Sequence, residues 1–162
     1  MVRAASESKQ AVEAYAALWN NQEYENIPDV VSQSYVLVDP VAPAELPGPA
    51  GEIHGPDGLE QYIRAVMGAF PDMEMTLDEM VVHEGTVMTE ETVTGTHTGE
   101  LFGLPPTDRV VKMKEMQKYH IVNGKVESQA VYYNVEEMKA QLGLTFPAIV
   151  GQLPKLVWRK IR

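Results

Sequence analysis

Three runs rich in β-branched residues dominate the second half of the chain: Thr86 to Thr98, Val110 to Val122 and Lys125 to Asn134. Branching at Cβ restricts χ1 and suits a pleated, half-buried surface, so each run predicts a strand. Asn123-Gly124 separates the last two by the pair of residues that a tight hairpin turn requires. The first two are separated differently. Gly99-Glu100-Leu101-Phe102-Gly103-Leu104-Pro105-Pro106-Thr107-Asp108-Arg109 holds glycines and paired prolines that forbid regular pairing and force an irregular loop. His97 stands where strand gives way to loop. That is a frequent location for binding and catalytic groups, and equally for a plain hairpin connection.

The first half is helical and interrupted. Val12, Tyr15, Leu18 and Trp19 recur at helical spacing, with Ser6 or Ser8 available as a cap and fraying expected near Asn20-Asn21. A short helix near Ile27 to Ser32 can start around Pro28, and Tyr35 to Val38 reads as a short strand ended by Asp39-Pro40. Val41 to His54, with three prolines and two glycines, reads as a long lid or flexible edge. Gly55-Pro56-Asp57 opens the strongest helical signal: Leu59, Tyr62, Ile63, Val66, Met67 and Phe70 lie on one face, and Pro71 ends it. Met73 to Glu84 predicts a further strand, and Asn134 caps a short helix over Val135 to Leu142. Thr145 to Arg162 reads as an apolar and basic tail broken by Pro147 and Pro154. Helices first and a meander of antiparallel strands later is the α+β pattern, here one domain over 1–144 with a tail over 145–162.

Strand parity picks out candidate site residues. Lys112, Lys114 and Lys118 share one face of their strand, which places that face in water. Met113, Glu115, Gln117, Tyr119 and Ile121 then face inward. An inward carboxylate must be paired, hydrogen-bonded or protonated, so Glu115 is either a structural anchor or an acid–base group with a raised pKa. Glu91 points inward by the same parity as His97, and His97 is a candidate to share this network. Tyr15 and Trp19 are core residues that would also wall a pocket in a hollow fold.

Charge narrows the partners. The net charge of −10, from 13 basic and 23 acidic residues, disfavours nucleic acid, which needs a basic face. The tail contributes +4 through Lys155, Arg159, Lys160 and Arg162 and holds no acid, so the other 144 residues carry −14. A basic tail on an acidic body predicts docking on the domain or on a partner subunit. Strong acidity also suits a protein adapted to high salt. No apolar run reaches the ~20 residues of a bilayer span, and Met1 to Gln10 has no secretory core, so a cytoplasmic protein is expected. His54, His83, His97 and His120 form no metal motif, and there is no dinucleotide fingerprint or nucleophile elbow, so neither metal nor cofactor is expected.

Taken together, Gly95-Thr96-His97-Thr98-Gly99-Glu100, Gly103-Leu104-Pro105-Pro106-Thr107 and Asn123-Gly124-Lys125-Val126 resemble the SnoaL-like polyketide cyclases. Trp19-Asn20, Asp39-Pro40, Gly55-Pro56-Asp57-Gly58-Leu59 and Phe70-Pro71 fit the same pattern in the same order, from about residue 8 to about residue 144. The resemblance implies the cone-shaped nuclear-transport-factor-2-like fold: a curved antiparallel sheet around helices, enclosing a pocket. It implies cofactor-free aldol ring closure of an aromatic polyketide ester, with a carboxylate removing the acidic proton. It also exposes departures. The family's acid–base aspartate position is Val131, its partner histidine position is Gln117, and a pocket asparagine is Asp39; His97 matches directly. A catalytic version must have moved its base, with Glu115 ranked first, then Asp39 and Glu91, and with His97 orienting a carbonyl or shuttling the proton. The alternatives are a binding protein that has lost the base, and a hydrolase or dehydratase of the same fold. A homodimer is expected across the face bearing Ser128, Ala130 and Tyr132.

Overall fold

The computed structural model describes residues 2–160, so Arg162 of the basic tail lies outside the described residues. In chain order the elements are α1 (Val2–Asn20), α2 (Ile27–Val30), β1 (Val31–Val38), β2 (Glu52–His54), α3 (Gly55–Ala69), β3 (Glu74–His83), β4 (Thr86–Thr96), β5 (Val110–Val122), β6 (Lys125–Tyr132), α4 (Val135–Gln141) and α5 (Ala148–Lys160). A 3₁₀ turn, Tyr24–Asn26, leads into α2. One mixed sheet has the order β2-β1-β6-β5-β4-β3. It curves around α1 and α3, which is the α+β cone that the pattern of elements and the resemblance imply. No helix among the described residues is long and apolar enough to cross a membrane.

The core lies between the helices and the concave face of the sheet. Val12, Tyr15, Leu18 and Trp19 of α1 are buried, as are Leu59, Tyr62, Ile63 and Met67 of α3. Both sets follow the 3.6-residue period that aims one stripe inward. Asn20 ends α1 with a two-way clamp: its Nδ2 donates to Met75 O at 2.8 Å and its Oδ1 accepts from Met75 N at 2.9 Å. The amide side chain thus mimics a strand pairing and ties the helix end to β3. On β5 the alternation is complete, with Glu115, Gln117, Tyr119 and Ile121 buried and the three lysines outside.

Several elements depart from the sequence reading. Helix α1 begins at Val2, so Ser6 and Ser8 lie inside it rather than at its cap, and Ser8 is buried. Helix α2 stops at Val30, and β1 starts at Val31 instead of Tyr35, because Val31 already pairs with Val126 of β6. That β1–β6 pairing is parallel, while the other four are antiparallel. The segment expected to be a loose loop over Val41 to His54 contains β2 and is tethered by Asp39 N to Gly51 O, Gly51 N to Ala42 O and His54 N to Pro47 O. The tail is not broken by Pro154. Helix α5 runs through it, because Gln152 is buried and donates to Leu142 O, while Lys155 and Arg159 reach Asp108. Asn134 does cap α4, accepting from Glu137 N at 3.1 Å.

Gly99 is the joint between the β4–β5 loop and the end of α3. Thr98 and Gly99 both donate to Ala69 O at 3.0 Å, and a Cβ on Gly99 would stand 2.0 Å from Gly68 O. No such contact is tolerable, so the backbones must separate. Gly99→Ala is therefore expected to cost about 2–3 kcal/mol, read as a lower denaturation midpoint at unchanged slope in urea unfolding.

Candidate active site

The concave sheet face and the two long helices enclose a pocket of about 120 Å³. Its walls are mostly apolar, among them Phe70, Met73, Met75, Val93, Met113 and Val131. Against this background a small polar set stands out: Asp39, Glu115, Gln117 and Gln129, with the tyrosines at 15, 62 and 133. An apolar pocket with a few convergent polar groups is the common form of a small-molecule site.

Asp39 follows β1 at the point where Pro40 stops the strand. Its Oδ2 accepts from the Tyr62 hydroxyl at 2.7 Å, and its Oδ1 accepts from the Tyr133 hydroxyl at 2.9 Å and from Val41 N at 3.0 Å. Burial, with the Asp39 charge adding to it, raises both tyrosines well above their ordinary pKa, so they stay protonated donors. Glu115 has a very different surrounding. Its only hydrogen bond among the described residues is from Gln117 Nε2 at 3.4 Å. Burial pushes its carboxyl up to about 8, and the negative charges of Asp39 and Glu91 push the same way. At neutral pH the group is mainly the neutral acid.

Glu91 is directly opposite Glu115 in the β4–β5 register and is fully buried. It accepts from Thr89 Oγ1 at 2.6 Å, Gln117 Nε2 at 2.7 Å and the Tyr119 hydroxyl at 3.1 Å. Burial raises its pKa, and the hydrogen bonds from Thr89 and Tyr119 work against that rise. Gln117 is the hub, because its Nε2 faces both glutamates while its Oε1 accepts from Tyr119 at 3.0 Å and from Gln129. The chain of bonds continues from Tyr35 to Gln129 Oε1 at 2.7 Å, and Tyr35 and Tyr15 share a hydroxyl contact at 3.0 Å. The Trp19 indole N–H is buried without a hydrogen-bond partner among the described residues.

His97 lies elsewhere. It is fully buried but does not line the pocket; Phe70 does, with the His97 ring stacked on it at 5.0 Å. Its Nδ1 lies 3.1 Å from Thr107 Oγ1 and accepts from Thr107 N at 3.3 Å, while Nε2 has no partner among the described residues. Burial lowers the His97 pKa, the Asp108 charge raises it and the Arg159 charge lowers it. The histidine ties the β4–β5 loop to its own strand: His97 N donates to Arg109 O and Asp108 N donates to His97 O, both at 2.9 Å. The loop in turn reaches the pocket, since Leu101 lines it and Phe102 lies parallel to Tyr62 with ring centres 6.1 Å apart. From outside, Lys155 and Arg159 of α5 hold Asp108 at 2.6 and 2.8 Å.

Of the residues singled out in the sequence, Tyr15, Trp19, Asp39, Met113, Glu115, Gln117 and Val131 line the pocket. Glu91 and Tyr119 form its second layer behind Gln117, and His97 joins neither group. Tyr62, Gln129 and Tyr133 were missed. The last two share the inward parity of Val131, so the rule that found Glu115 and Gln117 would also have found them. Tyr62 sits in an apolar helical stripe that gives no sign its hydroxyl is used.

The chain belongs to the SnoaL-like polyketide cyclase family, whose profile matches residues 9–142. It is 30% identical over 123 residues to the nogalonic acid methyl ester cyclase of Streptomyces nogalater, covering 74% of this chain and 89% of that protein. Among solved structures it superimposes on IdmH of Streptomyces antibioticus, classed as a polyketide cyclase, with a TM-score of 0.71 at 24% identity, over 84% of this chain and 98% of that one. AclR of Streptomyces galilaeus, classed as a hydroxylase, gives a TM-score of 0.69 at 24% identity over 87% and 98%. These two establish the fold. Helix α5 lies beyond the family match.

The Glu115 carboxyl links stability to pH. Its value is about 8 when folded against 4.5 for the free group, so between these the folded state keeps a proton that the unfolded chain has lost. Stability therefore falls as pH rises from about 4.5 to about 8, a tenfold difference in proton affinity being worth about 1.4 kcal/mol. Glu115→Gln cannot ionise. Its melting temperature relative to the wild type is expected to be higher at pH 9 than at pH 5, with a smaller slope remaining from Glu91.

Proposed function

We propose that the protein is a cofactor-independent acid–base catalyst acting on a hydrophobic, oxygenated small molecule, with ring closure or isomerisation through an enolate as its chemistry. The observation that carries this reading is Glu115: a pocket-lining carboxyl with one 3.4 Å protein contact and a proton affinity suited to transfer near neutral pH. Val131, at the family's aspartate position, is cross-strand from Gln117, at its histidine position. Glu115 lies two residues before Gln117 on the same face, a diagonal neighbour of position 131. The base has thus moved by one step along the concave surface and remains in the pocket. As carboxylate, Glu115 removes a proton next to a carbonyl; as acid, it returns one to the product. Burial keeps the Glu115 proton affinity high, and the charge of Asp39, held by Tyr62 and Tyr133, adds to it. His97 is assigned to holding the mouth loop through Thr107.

Turnover of an aromatic polyketide methyl ester tests the reading. Glu115→Gln is expected to lower kcat by about 10²–10⁴ with folding retained. For the wild type, kcat/KM should rise with pH and level off above about 8. Undiminished turnover in the variant would remove Glu115 from the chemistry. The loss of the family pair to Val131 and Gln117 favours a second reading, a binding protein without turnover. It is supported if the ester binds both proteins and neither converts it. A product differing from substrate by one water would instead mark a hydrolase or dehydratase.

We further propose a homodimer across the convex sheet face, where Tyr132 and Met116 are exposed apolar neighbours in the β5–β6 register beside Ser128 and Ala130. Light scattering should give twice the chain mass, and Tyr132→Glu should halve it.

A further inference from the structure

The pocket has two acids on its walls and, among the described residues, no basic side chain opposite them. Asp39 and Glu115 line it, and Glu91 stands immediately behind Gln117. Among the described residues, no lysine, arginine or histidine lines it. The β5 lysines project from the opposite face of the sheet, where Lys114 is engaged by Asp78 and Glu90. His97 is behind Phe70. The other titratable groups facing Glu115 are the hydroxyls of Tyr62 and Tyr133 and, through Gln117, Tyr119, all protonated. Buried carboxylates are normally matched by a cation or by a full set of donors. Asp39 has three donors and Glu115 has one long contact. With the protein's own groups alone, the balance at Glu115 is struck by a bound proton. Around this point the walls are aromatic: Tyr15, Trp19, Tyr62, Phe70 and Tyr133. Aromatic faces beside carboxylates attract cations.

We propose that the pocket takes a compound in which an apolar ring system carries a protonated amine, the ammonium seated beside Glu115 and Asp39 against the aromatic walls. This rests on the pocket being the substrate site, as set out above, and names the class of substrate. On binding, the ammonium takes over the role of the Glu115 proton, which leaves for solvent; the Glu115 carboxylate so formed is the form able to accept a proton from carbon. The ammonium also offsets the negative charge of the enolate that such a transfer creates. A ligand bearing a carboxylate would meet two acids and no counter-charge.

Three probes on one ring scaffold test this: 2-naphthylmethylamine, 2-naphthylmethanol and 2-naphthoic acid, titrated calorimetrically into the 162-residue protein at pH 7 in buffers of different ionisation enthalpy. The amine should bind about tenfold or more tightly than the alcohol. Its binding should release close to one proton, the alcohol should release none, and the acid should show no binding. In Glu115→Gln both the amine preference and the proton release should disappear while the alcohol still binds. Equal affinity for amine and alcohol, or amine binding without proton release, overturns the proposal and leaves the pocket reading standing. Failure of all three probes to bind overturns both.

Discussion

Two buried carboxyl groups facing each other across adjacent strands is the constraint on which the site depends. Glu91 and Glu115 are register partners on the concave side of β4 and β5. Like charges directly opposite destabilise a sheet, and burial makes each charge costlier still. The surrounding structure resolves this unequally. Glu91 receives three donors and is sealed in, whereas Glu115 is left facing the pocket with one weak contact. The inequality leaves one carboxyl satisfied and its neighbour open to the pocket. Gln117 makes it possible, because a single amide nitrogen serves both carboxylates while its oxygen gathers Tyr119 and Gln129. A histidine at that position would carry two ring nitrogens and a different set of protonation states.

Much of this was readable from residue order. Lysines at alternate positions declare which side of β5 is wet, so Glu115, Gln117 and Tyr119 had to face in; strand geometry leaves no other choice. The helical stripe of α3 and the Asn134 cap were equally plain, since each depends on neighbours a few positions away. What escaped depends on contacts between distant residues. A proline inside a helix is a stop signal taken alone, yet α5 continues through Pro154 because Gln152, Lys155 and Arg159 find partners at Leu142 and Asp108. The parallel β1–β6 pairing joins segments about ninety residues apart, and no local pattern announces it. His97 shows the limit most clearly. Its place at a strand end suggested a ligand contact, but Phe70, arriving from the end of α3, occupies the pocket side of its ring.

Family membership and local chemistry answer different questions here. Membership accounts for the cone, the pocket and the apolar lining. Under the proposed function it does not supply the reacting group, since position 131 holds valine and the carboxyl of Glu115 stands one diagonal step away. Positions 131 and 115 lie on neighbouring strands with inward side chains, so a group at either faces the pocket, whereas one residue along either strand would point to the other side. The concave surface therefore offers several inward positions from which a polar side chain can reach the pocket.

Tyr62 connects two parts of the site that have so far been described separately. Its hydroxyl grips Asp39, and its ring face lies parallel to Phe102 of the loop at the pocket mouth. One side chain thus touches both the β4–β5 loop and the buried carboxylate. Asp39 is in turn one of the charges that, after burial, raise the pKa of the Glu115 carboxyl, so the β4–β5 loop and the buried acid are joined through a single tyrosine.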